Sequence, residues 1–287
     1  MRAAAMALAL TVIVSARRIN AVPAPERQPH GLRRCVDQTI AAEALEGWCP
    51  TGDQVDALVA LVNGEVTFDD YLAAYRKRHP IGRETSSPSR RDPPYLIPGT
   101  SLLRNNFGAD DQETLAALEY VATAGRMAAW LRRLADGDVS AGDLDVRSLH
   151  RLLFSDVYEW AGSYRVCELR LGDEVFARQS SVQRRMTRVE ASAQALVDMA
   201  AGSDAALADR LAALYAEYNY AHPFREGNGR TGTLMLHTVA VLCGATLDFG
   251  AITRGQWYAA SRESMPPRRN GPADHRPFVP LFVRVLG

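Results

Sequence analysis

Nine consecutive residues, from His222 to Arg230, gather the groups that could do chemistry: HPFREGNGR. His222 is the histidine with such company, and an imidazole beside an anion site is a natural general base. Gly227-Asn228-Gly229 lets the backbone approach a ligand closely and opens a helix there. Several free N–H groups and the positive end of the helix dipole then point at one spot, which is a phosphate site. Arg230 adds a forked cation on the first helical turn, suited to phosphate oxygens. Glu226 offers a hard oxygen for a magnesium ion bridging such phosphates. Phe224 between them reads as core. The combination of base, carboxylate, anion nest and guanidinium reads as an active site for phosphoryl-type transfer.

Two apolar-periodic helices must hold this loop. Leu207, Leu211, Leu214 and Tyr218 mark the buried face of the first, and Leu234, Met235, Val239 and Leu242 that of the second. Three-to-four residue spacing further predicts helices over 113–135, 147–158, 182–201, 204–220, 228–243 and 277–286. One segment reads as strand: 164–171 and 174–176, joined through Gly172-Asp173, predict a short hairpin between helices. The fold class is therefore mainly α.

Ahead of this body the pattern is short and interrupted. Val36, Ile40 and Ala44 share one helical face that Gly47 ends; Val55, Leu58, Val59 and Val62 make a second; Asn63-Gly64 turns the chain; Thr67 with Asp70 caps a third. Residues 32–80 thus form a small three-helix unit with little core of its own. A Ser-, Pro- and charge-rich stretch, 81–94, reads as a linker to the main domain, 95–287. Residues 1–31 stand apart as an apolar and basic segment. The run 3–16, closed by Arg17-Arg18, is too short to span a bilayer and reads as a signal-peptide core with a cleavage site at Val14-Ser15-Ala16 or Val22-Pro23-Ala24, as an over-extended start, or as a simple helix lying against the body.

Composition narrows the rest. The 287 residues are 47% hydrophobic and 23% charged, with 33 basic against 33 acidic side chains, so the chain is globular and has no broad cationic field. Nucleic-acid and membrane partners are not expected. Four scattered cysteines form neither a disulfide framework nor a zinc spacing. The acidic loop at Asp136-Gly-Asp138 lacks the glycine and glutamate of a calcium loop, and Walker A and GxSxG sequences are absent.

HPFREGNGR resembles the central motif of the Fic/Doc family, HxFx(D/E)GNGRxxR. The segments YLIPGTSLLRNNFG, 95–108, and RLLFSDVYEWAGSYR, 151–165, resemble the family's sequence ahead of it. The resemblance implies a Fic-type helical bundle in which the hairpin is a flap that positions a target segment. It implies a bacterial, cytoplasmic protein adenylyltransferase moving AMP from ATP to a Ser, Thr or Tyr hydroxyl of a target protein. His222 would then be the catalytic base, Glu226 the magnesium ligand, and Gly227, Asn228, Gly229 and Arg230 the nucleotide cradle. A signal peptide would instead imply secretion.

Two features qualify that reading. The pattern's last arginine falls at position 233, where this chain has Thr233. The resemblance then leaves open another nucleotide donor, or a catalytically weak binding or toxin–antitoxin relative. Ala42-Glu-Ala-Leu-Glu46-Gly47 resembles the family's inhibitory helix, (S/T)xxxE(G/N), and residues 32–80 resemble the small antitoxin unit that carries it. Glu46 would be an inhibitory residue, and the helix an intramolecular partner.

Overall fold

A computed structural model describes residues 29–79, 94–172, 174–199 and 203–287. The possible signal segment as far as residue 28, and the linker as far as residue 93, lie outside the described residues. The described chain forms ten α-helices: α1 Pro29–Leu45, α2 Gly52–Asn63, α3 Phe68–Arg76, α4 Gln112–Asp136, α5 Val146–Phe154, α6 Val182–Asp198, α7 Asp204–Ala221, α8 Asn228–Leu242, α9 Arg254–Glu263 and α10 Val279–Val285. Between α5 and α6 lies a hairpin of β1 Arg170–Leu171 and β2 Glu174–Val175, antiparallel, with Arg170 opposite Val175 and Leu171 opposite Glu174. No helix among the described residues is long and apolar enough to cross a membrane.

Local chemistry sets the helix ends. Thr51 and Gln54 form a reciprocal capping box at α2, and Thr253 and Gln256 form another at α9. Asp111, Asp145 and Ser203 accept from backbone N–H groups at the starts of α4, α5 and α7. Gly64 and Gly137, both left-handed, close α2 and α4.

The central element is α4, whose buried residues include Leu118, Ala122, Met127, Ala128 and Leu131. Around it pack α1, α2, α3, α5 and α8. Trp130 Nε1 donates to Thr238 Oγ1 at 3.0 Å, tying α4 to α8. On the other side, Tyr71 of α3 donates its hydroxyl to the Val121 carbonyl at 3.1 Å. A continuous apolar core contains Val36, Leu45 and Leu58 from the first helices together with Phe154, Phe224 and Trp257 from the main body. The first three helices thus gain from α4 the burial they lack alone.

The hairpin is much shorter than the spacing predicts. The stretch before Arg170 pairs with scattered carbonyls and side chains rather than with a strand: the Arg165 N–H donates to Pro223 O and the Val166 N–H to Tyr95 Oη. The helix expected over 147–158 ends at Phe154, after which two turns bring Val157 and Tyr158 back onto the core. Helix α9 was not expected from periodicity at all, because only Trp257 and Ala260 of its ten residues are buried.

The close approach of α3 to α4 rests on Gly125: a Cβ built there would lie 2.6 Å from Tyr71 Cε1 and 3.0 Å from Phe68 Cε2. Gly125→Val should therefore push α3 off α4 and lower stability by about 1–3 kcal/mol. An unchanged denaturant midpoint for that variant would contradict this packing.

Candidate active site

Helix α7 stops where Pro223 follows His222, and His222 itself takes a left-handed backbone, φ 43° and ψ 64°. The connecting loop is held by one side chain. Asn228 Oδ1 accepts from the Phe224 N–H and its Nδ2 donates to Phe224 O, both at 2.9 Å. Asn228 thus clamps the loop with its side chain and offers only its main chain to a ligand. Gly227 precedes α8 with φ 78° and no side-chain cap, so the first N–H groups of the helix stay available. No other residue fits at 227, because a Cβ would fall on the Phe154 ring beneath it.

Arg230 is placed differently from a free phosphate ligand. It is 4% exposed and ion-paired with Glu119 of α4, its Nη1 donates to Thr123 Oγ1 at 3.2 Å, and its guanidinium lies over Phe154 at 4.8 Å. Tyr158 donates its hydroxyl to the other oxygen of Glu119. Burial works against the Arg230 charge, but Glu119, Glu43 and Glu226 more than offset it and raise its pKa. The side chain therefore anchors the nest from below. Thr233 is also buried, its hydroxyl donating to the Arg230 carbonyl at 3.0 Å.

Above the nest stands Glu46. Its carboxylate occupies the space where a Gly229 Cβ would be. Tyr120 fixes the helix end by donating to Glu46 O at 2.8 Å, and Trp48 stacks on the Tyr120 ring. Burial raises the Glu46 pKa, while Arg230 and Arg254 pull it back. One turn earlier, Glu43 is fully buried and neither carboxylate oxygen has a hydrogen-bond partner. Its pKa is pushed up to about 8 by burial, which outweighs the nearby Arg230.

A cavity of about 260 Å³ joins these groups, lined among others by Glu46, Phe176, His222, Glu226, Gly229 and Tyr258. The His222 ring lies parallel to Phe176, 3.7 Å away, and its Nδ1 sits 3.3 Å from Asn219 O. Burial pushes its pKa down to about 3, so the imidazole is neutral at physiological pH, the protonation form that a general base starts from. Glu226 keeps 42% of its side chain exposed, with Oε1 accepting from the Gly227 N–H at 3.0 Å. Among the described residues no cluster of three metal-ligating side chains exists. A single carboxylate opening on a phosphate nest fits magnesium, which takes one or two protein carboxylates and completes its shell with phosphates and water. It does not fit zinc.

Two supporting residues escaped sequence reasoning. His150 of α5 accepts from the Gly162 N–H at Nδ1, 2.8 Å, and its Nε2 lies 3.1 Å from Glu226 O, while its ring stacks on Phe224 at 3.8 Å. Burial lowers its pKa to about 3, so it is a neutral pillar under the loop. Arg165, fully buried, grips the far side. His150 sits in no local pattern, and Arg165 closes the 151–165 segment without any local signal of its role.

Residues 143–240 match the Fic/DOC family. A probable protein adenylyltransferase y4lH of Sinorhizobium fredii is 36% identical over 156 residues, 54% of this chain and 79% of that protein. A probable protein adenylyltransferase Fic of Escherichia coli is 28% identical over 169 residues, 59% of this chain and 82% of that protein. A crystal structure of the Bartonella tribocorum effector BepC with bound AMPPNP shares the fold, with a TM-score of 0.55 at 22% identity over 69% of this chain and 99% of that one.

The two buried carboxylates yield separate tests. Glu119→Ala strands the Arg230 cation and should cost about 3–5 kcal/mol in chemical denaturation; a loss under ~1 kcal/mol would mean Arg230 finds other support. Glu43 takes up a proton on folding between its ordinary 4.5 and about 8. Stability should therefore fall as pH rises through that interval and level off above it. In Glu43→Gln that fall should shrink, and a wild-type-like pH profile for the variant would refute the assignment.

Proposed function

The chain belongs to the Fic/DOC family, and from that premise we propose that it is a protein adenylyltransferase, transferring AMP from ATP to a hydroxyl of a target protein. The reading is carried by the juxtaposition of His222, Glu226, Asn228 and Gly229 around one cavity. The relatives' names, protein adenylyltransferases in Escherichia coli and Sinorhizobium fredii, point the same way.

In this scheme neutral His222 takes the proton of the acceptor hydroxyl. The oxygen bonds to the α-phosphorus while the bond from that phosphorus to the bridging oxygen breaks, and pyrophosphate leaves with the electron pair. The main-chain N–H groups at the start of α8 hold the diphosphate, with Gly227, Asn228 and Gly229 shaping the approach and Arg230 stiffening it from beneath. Glu226 would hold magnesium, which supplies neutralising charge to the phosphates. The flap at β1 and β2, with Leu171 57% exposed, presents an edge to an extended target segment.

Autoinhibition by α1 belongs to the same proposal. The Glu46 carboxylate lies where a nucleotide phosphate would rest over Gly229, and an anion there competes directly with phosphate. The expected second arginine is replaced by Thr233, so Glu46 relies on Arg230 and Arg254 for countercharge. Thr233 presents no cation to the outer phosphate, which supports a weaker demand for ATP over other donors; Arg225 and Arg262 line the cavity as alternatives.

Intact-mass analysis after incubation with ATP and magnesium tests the scheme. Glu46→Gly should accumulate an AMP adduct faster than wild type, and adding His222→Ala should abolish it while calorimetry still registers ATP. Adducts from GTP, UTP or CTP but not ATP would replace the donor. An adduct undiminished by His222→Ala would remove the base.

A further inference from the structure

Arg165 is an arginine with no exposed surface, 57 residues from the histidine it serves. All of its side-chain hydrogen bonds go to main-chain carbonyls. Nε donates to His222 O at 2.8 Å, Nη1 to Cys167 O at 2.7 Å, and Nη2 to Ala177 O at 2.6 Å and Ala221 O at 3.2 Å. Its own N–H donates to Pro223 O at 2.8 Å. Its nearest carboxylate, Glu168, is 3.9 Å away and half exposed, so the cation is nearly uncompensated.

A buried cation without a close counterion is costly, and hydrophobic side chains could fill the space at lower cost. What they could not do is satisfy these particular carbonyls. The left-handed turn at His222 ends α7 and leaves the carbonyls of Ala221 and His222 without helical partners. Cys167 and Ala177 are the two ends of the flap: the chain leaves the core at the first and returns at the second, where the Ala177 N–H also donates to Tyr220 O at 3.1 Å. The residue before that return is Phe176, whose ring covers the His222 imidazole. One guanidinium therefore joins both ends of the flap to the strained backbone that carries the base.

We propose that Arg165 is a positioning residue that sets the flap and the His222 imidazole in one hydrogen-bonded frame, so that the target segment and the base are aligned together. The proposal rests on the transferase reading of His222 for its kinetic consequence, though not for its structural one. The cation also faces the imidazole electrostatically and helps keep it neutral, alongside burial. Other charged groups lining that cavity are Glu226 and Arg225 from the loop, Arg262 from α9 and Glu46 just past the end of α1. Nucleotide contacts at the start of α8 do not pass through Arg165, so nucleotide affinity separates alignment from simple loss of the site.

The test places Arg165→Lys and Arg165→Met in the full chain carrying Glu46→Gly. Lysine keeps the charge but cannot reach four carbonyls with fork geometry; methionine removes both. The initial rate of AMP adduct formation should fall about 10- to 100-fold in the methionine variant, less in the lysine variant, with the ATP dissociation constant within about twofold of the parent. The His222 imidazole, followed by nitrogen NMR, should titrate at higher pH in Arg165→Met, and the Ala177 amide should exchange faster in both. Should the methionine chain lose its helical circular dichroism, the lysine variant carries the comparison. A parent-like rate, His222 titration and Ala177 exchange would overturn the proposal. If the Glu46→Gly parent itself forms no adduct, the transferase reading fails, and the titration and exchange measurements alone decide Arg165.

Discussion

The ion pair between Arg230 and Glu119 is the contact on which the site depends. It lies in the core, where an isolated charge would be untenable, and each partner makes a further local hydrogen bond, Arg230 to Thr123 and Glu119 to Tyr158, while Arg230 Nε is left without a partner. Because Arg230 sits on the first turn of α8 and Glu119 midway along α4, the pair fixes the start of one helix against the flank of another. Phe154 then rises under Gly227, and Asn228 closes the loop onto Phe224. The free N–H groups above owe their direction to the charges below.

Into this arrangement α1 brings two more carboxylates. Glu43 and Glu46 lie one turn apart, the first sealed without a partner and the second over the nest. With Glu119 and Glu226 they surround a single buried guanidinium, with Arg254 at the rim. Such an excess of acid is held together by packing and by the Arg230–Glu119 ion pair beneath it, while burial favours the neutral form of Glu43. Val36, Leu45 and Trp48 supply the apolar burial that keeps the helix seated despite the electrostatics. The seat of α1 is therefore a balance between two opposed forces.

Sequence reading located the loop because its signals are local: a turn, two glycines, a base and an acid within nine residues. The three short N-terminal helices were equally legible from Gly47, Asn63-Gly64 and Thr67, which stop and start them where the structure does. Arg165, Glu119 and His150 were not legible. Their partners are 57, 111 and 76 residues away, and two of the three bind main-chain carbonyls that any residue type would supply. Arg230 was found, yet its direction was not, since a forked cation serves a phosphate or a carboxylate equally well. Helix α9 went unseen because a polar helix touching the core at two positions has no period to read.

Gly229 carries an evolutionary consequence. Its missing side chain leaves room over the start of α8, and Glu46 stands in that room. A diphosphate held by the same N–H groups would need the same space. Any larger residue at 229 that evicted the glutamate would also evict a nucleotide bound there, so under the proposed autoinhibition this position offers no one-step escape from the helix. Release would then have to come from the α1 side, and mutations that uncouple the two would accumulate there, leaving the nest unaltered.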